Sequence, residues 1–520
     1  MKRLRFVSSV IAVAMTSTSL AGGLLTNTNQ NVAFDRMLSR DASIGIDGIY
    51  SNPAGVAFME NGHHLSLNWQ IASQSRTIEN NYPLFYNNSN NPTTPREFKG
   101  NAFAPVLPSI QYAYNWKDFS FQAGFGVTGG GGKCTFDNGL GSFEKIVAET
   151  AVGATALAGA LDKSLGTSMF TSDQMFGSKG AYSFNSYMRG RQYYFGLSLG
   201  AAYKITPELS AFAGVRGVYA SCNYYGYVRD IKVGNMPLYK VLDPTKTEAA
   251  NIELNCDQTG IGFTPILGID YKTGNWNFAV KYEFKTRMRL QNEAVNTAPS
   301  IGNLGDNLAT TIAAGVKQAQ PGISDAEAIA YAKNKLSDPT VQGTMLALKN
   351  QFDEKLMEAT GEFEDGKTIA GDIPSLLAIG VGYSPVDPLR INVGFHYFDD
   401  KNATSYNHRE KKLDRGTIEW SAGAEFDASK LITVSAGWQN TNYGITDENM
   451  DDKSFVTNSN SVAVGACLHL SKKMDLNLAY FHTFYSHKKT EEVSQLTGTV
   501  YASDYTRNNN VFGIGLDINF

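Results

Sequence analysis

The chain has 520 residues, 45 Lys+Arg against 49 Asp+Glu, 50 glycines, 12 % aromatics and 18 % charged residues. So balanced a charge excludes the basic footprint of a nucleic-acid-binding protein, and a mean hydropathy of -0.24 without a long apolar run beyond the N-terminus excludes a helical membrane protein. Charge below the roughly 25 % of an average soluble domain, with much glycine and aromatic, points to a large all-β protein.

Lys2, Arg3 and Arg5 precede the apolar run Phe6 to Met15 and then Ser19-Leu20-Ala21. That layout is a secretory signal peptide, residues 1–21, cut after Ala21. The apolar run is shorter than the ~20 residues of a spanning helix. Residues 22–63 hold much apolar surface, including Val32, Phe34, Met37, Ile46 and Ile49, and end in the turn Asn52-Pro53-Ala54-Gly55 followed by Val56, Phe58 and Met59. Asn52 can cap and Pro53 can start a short helical turn there.

From His64 onward the dominant signal is alternation with period two. Leu65, Leu67, Trp69 and Ile71 alternate with Ser66, Asn68 and Gln70. Further runs follow at Ile110–Trp116, Phe119–Phe125, Tyr193–Ile205, Leu209–Val215, Ile261–Tyr271, Trp276–Phe284, Leu377–Tyr383, Leu389–Tyr397, Ile418–Phe426, Ile432–Trp438, Val462–Leu470, Met474–Tyr480 and Phe512–Phe520, fourteen strands in all. Tight turns such as Lys117-Asp118 and Ser471-Lys473 alternate with long polar segments at 73–103, 129–182, 229–258, 289–371, 399–415, 443–460 and 486–506.

Antiparallel strands place every second connection on the same side, so the short turns face one way and the long loops the other. With apolar outward faces, this predicts an antiparallel transmembrane β-barrel over residues 64–520, with short periplasmic turns and long extracellular loops. Asn277, Lys281, Glu283 and Lys285 occupy the opposite face of one strand, which a wet lumen accepts and a sandwich core would not. Phe520 ends the chain on an outward parity. The loop 289–371 contains helical patterns, with Ser324 and Glu327 as a capping box and a second stretch from Met345 to Met357; the loop 129–182 has another near Phe143 to Leu161.

Most chemical motifs fail on context. Gly124-Phe125-Gly126-Val127-Thr128-Gly129 spells a dinucleotide fingerprint but opens onto Gly130–Lys133 rather than a helix. Such glycines mark a bulge, a bend or lost pairing in a strand. The seven histidines make no metal motif and no hydrolytic set, and Cys134, Cys222, Cys256 and Cys467 form no CxxC. No catalytic residue, metal or cofactor is therefore assigned. Asp399-Asp400 and Asp451-Asp452 read as exposed loop charge, and Cys222 with Cys256 is the disulfide pair to test first in an exported chain.

A barrel of fourteen strands leaves a lumen that must be occupied if it is not to leak, and residues 22–63 are the economical plug. The run Asp41 to Gly55 ("DASIGIDGIYSNPAG") resembles the N-terminal hatch of the FadL/TodX family of outer-membrane transporters for hydrophobic compounds. Gly260 to Arg287 and Glu419 to Gly437 agree in order and spacing. The resemblance implies a monomer inserted in outer-membrane lipid by the barrel assembly machinery. It implies passive uptake of long-chain fatty acids or similar lipids and aromatics through a luminal apolar pocket. Hatch movement, with Asn52, Pro53, Ala54, Gly55, Val56 and Phe58 in the hatch, would open a lateral gate beside an inward-kinked third strand. The third strand here runs into the glycines, so Gly124, Phe125, Gly126 and Gly129 are the gate candidates. By parity Arg216, Lys281 and Lys285 point inward and are candidates for holding a ligand carboxylate, with pairing to Glu283 as the alternative for the lysines. A structural or adhesin barrel, or a plugged porin, is the alternative function.

Overall fold

The computed structural model describes residues 30–242, 252–297 and 303–520; the expected signal peptide and residues 22–29 of the expected hatch lie outside the described residues. Fourteen strands form the wall: β1 Gly62–Asn81, β2 Arg96–Trp116, β3 Phe119–Phe136, β4 Tyr182–Lys204, β5 Leu209–Val233, β6 Ile252–Thr273, β7 Trp276–Glu283 resuming as Arg289–Thr297, β8 Thr368–Ala370 and Leu376–Val386, β9 Leu389–Phe398, β10 Thr417–Ser429, β11 Ile432–Asn442, β12 Ser459–Ser471, β13 Met474–Tyr485 and Lys488–Val493, and β14 Val500–Asn519. A short arm, Met236–Pro237, folds back on β5. Neighbours pair antiparallel, and β1 pairs with both β2 and β14, from His64↔Asn519 to Asn81↔Ala502, which closes the ring.

Closure leaves no sheet edge, the condition for backbone to cross lipid. The outward residues are the apolar members of each alternation, from Leu67 (39 % exposed) to Phe263 (66 %). Their inward neighbours, such as Ser66, Gln111, Ser210, Thr264 and Ser421, are polar and buried. Strands run past the limits expected from apolar alternation: β1 continues to Asn81 rather than 72, β3 to Phe136 rather than 128, and β7 resumes at Arg289. Ladder pairing needs only backbone, so it persists above the lipid-facing belt where side chains no longer alternate.

On the long-loop side, α1 having been formed earlier by Val32–Asp35, helices α2 Gly141–Leu165, α3 Leu304–Ala319, α4 Asp325–Leu336 and α5 Pro339–Thr360 make a cap. Ser324 caps α4, accepting from Glu327 N while Glu327 accepts from Ser324 N. Phe143, Val147 and Leu157 of α2 belong to one apolar cluster with Leu308, Ile312 and Leu336.

Two expectations are corrected. Cys222 and Cys256 are free. Cys222 pairs with Gln258 and Cys256 with Tyr224, so the thiols are diagonal neighbours, and such positions stand ~7–8 Å apart where a disulfide spans at most ~7 Å. Asp400, Asp451 and Asp452 are buried rather than exposed. Local donors explain part of this: Asp400 accepts from Thr417 N, and Asp452 from Ser142 N and Oγ.

Candidate functional site

Residues 30–61 run through the lumen and bond to the inward side chains of most of the wall. Asn31 caps α1 by accepting from Ala33 N and donates to Ser66 and Gln111 at 3.0 and 2.7 Å. Arg36 and Arg40 converge on Glu425 of β10 at 2.6 and 3.0 Å, and Arg40 also grips Asp47 with two bonds. His396 of β9 bridges Asp41 and Glu419 at 2.8 and 2.9 Å. The segment is therefore held by polar and ionic contacts. The sequence signal for this was available in the inward parity of Glu419 and Glu425, but which partner each would meet was not.

The turn at Asn52 is part of the same arrangement. Asn52 Oδ1 accepts from Gly55 N at 3.2 Å, while Asn52 Nδ2 donates to Asp270 of β6 at 2.5 Å. The Pro53, Ala54 and Val56 carbonyls accept from Gln122, Ser210 and Asn115. Gly55 leaves no room for a Cβ, which would stand 2.4 Å from the Asn52 amide. Val56 packs with Ile46, Ile49 and Ala113, and Phe58 is half-buried.

The three candidates for holding a ligand carboxylate already have partners, and for Lys281 the partner is Glu283, the alternative its parity left open. Arg216 holds Glu283 bidentately at 2.7 and 3.0 Å. Lys281 meets Glu283 at 2.9 Å and donates to the Tyr50 carbonyl at 2.7 Å, with Tyr50 ringed by both cations. Lys285 donates to Asn402 O at 2.9 Å and lies 3.8 Å from Asp372. Arg216 and Lys281 thus fasten the N-terminal segment to the wall; buried charges of this kind are held by their partners and hydrogen bonds.

The wall itself is interrupted at β2 and β3. Their register runs from Trp116↔Phe119 to Ile110↔Phe125, stops, and resumes only at Ala102↔Cys134. Residues 103–109 and 126–133 do not pair across that interval, about 20 Å at strand spacing. Pro105 and Pro108 explain one side, since proline cannot donate to a ladder. On the other side β3 bulges against β4 at Val127/Gly129 and again at Gly130/Gly132. The freed Pro105 carbonyl accepts from Trp69 Nε1 at 2.8 Å. The prolines were the signal that sequence reading had passed over.

Of the gate candidates, Gly124 sits below the interruption, paired with Gln111 and Ser198, and Phe125 faces outward beside Phe195. Gly126 begins the unpaired stretch; a Cβ there would stand 3.1 Å from Ser109 and 3.2 Å from Gln30. Gly129 flanks the first bulge. Ser109 Oγ also donates to the Gln30 carbonyl, so the described start of the N-terminal segment lies against the foot of the gap.

Behind the gap is a cavity of about 210 Å³. Val127, Phe136, Met188, Phe455, Phe481 and Val511 form the apolar part of its lining, and Gln74, Arg76, Gln192, Lys453 and Arg507 belong to the polar part. At the opposite, short-turn mouth Cys467, His469 and Asp475 hold possible metal-ligand atoms within 4.8 Å of one another. His469 is there hydrogen-bonded to Asp475 and Thr433 at 2.7 and 2.9 Å, so both ring nitrogens are in use.

A closed wall with a lipid-facing belt, a filled lumen and a sideways interruption defines an outer-membrane type of β-barrel with an internal plug. Among solved structures the chain is similar to a FadL homologue from Pseudomonas aeruginosa, with 13 % identity and a TM-score of 0.59 over 96 % of this chain and 100 % of that one. It is also similar to the toluene transporter TbuX of Ralstonia pickettii (13 %, TM-score 0.51, 95 % and 99 %) and the toluene transporter TodX of Pseudomonas putida (14 %, TM-score 0.50, 96 % and 100 %). At such identity these likenesses establish the shared fold. No family model matches the sequence, and no curated protein matches it.

Proposed function

We propose that this barrel takes hydrophobic small molecules passively across the outer membrane. The compound enters through the helical cap, rests in the cavity and leaves sideways through the β2–β3 gap when the N-terminal segment, acting as a hatch, shifts away from Ser109 and Gly126. No chemical step is involved. The observation that carries this reading is the position of a partly apolar cavity directly behind the β2–β3 interval, which is longer than the other one, 260–265 against 284–290 between β6 and β7, where described neighbouring strands lose their pairing. Transport of toluene by proteins of the same fold supports it.

The test is uptake of a labelled apolar compound by cells with and without the protein, and with Gly126→Val, whose side chain would crowd Ser109 and Gln30 at the gap. Uptake is expected to depend on the protein and to fall severalfold in the variant at equal folded barrel. A wild-type rate in the variant would sink the lateral route. Steady ion conductance by the wild type in planar bilayers, with no uptake of the compound, would favour a porin.

A further inference from the structure

The outer surface of β3, β4 and β5 carries a cationic ledge directly above the lipid-facing belt. On β4 the outward residues from Tyr203 through Leu199 and Leu197 to Tyr193 cover about 33 Å of strand, which at the usual tilt spans the ~25 Å apolar belt. Tyr193 stacks on Phe195 at the top of that belt, with ring centroids 5.7 Å apart. The next outward residues are Arg191 and Arg189, because Gly190 and Gln192 of the other parity line the cavity. Lys133 of β3 is exposed and is the direct cross-strand partner of Arg191, while Gly132 and Cys134 face inward. Arg189 lies over the Tyr225 ring at 5.4 Å and donates to Asn223 at 2.9 Å, and Arg191 Nε is buried with no acceptor. Higher up, Arg229 covers the Tyr227 ring at 3.9 Å, and Tyr187 stacks on Tyr227. Among the described residues none of these four cations is ion-paired. The acids of the ledge are engaged elsewhere: Asp257 accepts from Asn223 at 2.9 Å, Asp230 accepts from Asn185 at 2.8 Å, and Glu253 stands opposite Tyr227.

Like charges directly opposite one another weaken a strand pair, so Lys133 and Arg191 call for an anion between them. Phosphate oxygens suit it, since they accept from an ammonium and from the fork of a guanidinium together. We propose that Lys133, Arg189 and Arg191 hold a phosphate of a phosphorylated glycolipid of the outer leaflet, with its sugars against Tyr187, Tyr227 and Arg229. Two observations commit the ledge to a lipid. It lies at head-group height, one outward residue above the aromatic rim, and it is continuous below with Tyr193, Phe195 and Phe125, along which acyl chains would run. Lys133 also adjoins the upper end of the β2–β3 gap, where pairing resumes at Ala102↔Cys134. The chains of the bound lipid therefore descend beside that opening. The inference concerns the outer face of the wall and is independent of the uptake reading.

The experiment measures retention of labelled diphosphoryl lipid A, with the same lipid stripped of its phosphates as the uncharged match, by the purified full-length barrel in detergent. Wild type is compared with Lys133→Gln/Arg189→Gln/Arg191→Gln and with Arg189→Lys/Arg191→Lys, and heat-modifiable migration checks the folding of each. The wild type is expected to retain the phosphorylated lipid at least about tenfold better, as charged hydrogen bonds allow, and to lose part of that preference as salt is raised. The glutamine variant should lose the preference, and the lysine variant should keep part of it. Should the glutamine variant fail to fold, Arg191→Gln alone is judged by the same criterion. Phosphatidylglycerol, which has a phosphate and no sugar, should be retained less well than lipid A; equal retention overturns the assignment to a glycolipid. Equal retention of the phosphorylated and stripped lipids by the wild type, or undiminished retention by the glutamine variant, overturns the site altogether.

Discussion

Gly437 of β11 lies so close beneath Met37 that a Cβ on it would stand 1.4 Å from the Met37 carbonyl oxygen. The wall and the N-terminal segment are therefore fitted backbone to backbone at this point, and Gly423, whose Cβ would meet Met37 at 2.5 Å, continues the groove. Gly437→Ala should leave the barrel closed but unseat the segment, at a cost of about 1–3 kcal/mol as for other overpacked sites. Limited trypsin digestion at Arg36 and Arg40 reads this directly. Unchanged protection of those bonds would show that the wall, and not the segment, gives way.

The group of Arg216, Glu283 and Lys281 makes an ordering testable. Arg216→Gln leaves Glu283 with Lys281 as partner, whereas Glu283→Gln strands two buried cations beside Tyr50. Breaking a buried pair by deleting one partner costs roughly 3–5 kcal/mol. Glu283→Gln is therefore expected to be the more destabilising in thermal or urea unfolding, with Arg216→Gln clearly milder. The reverse order would mean that Arg216 has a role beyond holding Glu283.

Asn52→Ala removes both the Gly55 cap and the 2.5 Å bond to Asp270. Asp270 keeps Asn277 as a donor at 2.9 Å, so the loss is partial, about 1–3 kcal/mol for a buried group left short of one partner. Hydrogen exchange should quicken at Gly55 and Ala57 while the β6–β7 ladder stays protected. Uniform quickening along the ladder would contradict this.

Asp452 gives the cap a pH dependence. It lies in the loop between β11 and β12, holds α2 through Ser142, and faces Lys453, Asp451, Tyr501 and Tyr505. Burial pushes its carboxyl up to about 6; Lys453 opposes this and Asp451 adds to it. A carboxyl raised in the folded state keeps its proton better folded than unfolded. Its contribution is thus complete below the ordinary value of 3.8 and is lost as pH rises through about 6. Hydrogen exchange at the start of α2 should accelerate between these pH values in the wild type. Asp452→Asn should flatten that dependence, and an equally steep profile in the variant would rule Asp452 out.

Alternation along the chain by itself determined the wall. A strand whose odd residues are Leu65, Leu67 and Trp69 and whose even residues are Ser66, Asn68 and Gln70 has one face for lipid and one for polar surroundings. Alternating loop lengths then set which ends point the same way. The helices of the cap were legible from Ser324 and Glu327, because capping is local. What filled the lumen as charge partners was not. Glu425 meets Arg36 and Arg40, and Glu283 meets Arg216, only because closure brings distant strands and the inner segment within 3 Å. Parity showed Arg216 and Lys281 pointing inward, but a direction carries no information about what stands opposite.

The gap followed the same division. Glycines 124 to 132 announced irregularity in β3, and Pro105 and Pro108 carried the matching signal in β2. Their coincidence across one strand pair depends on register, which belongs to the assembled sheet. Arg76 and Arg507 lie 431 positions apart and oppose each other only where the first strand closes on the last. Local sequence determines which face a side chain takes, since that depends on backbone geometry alone; ring closure decides which faces meet, since that depends on every strand between them.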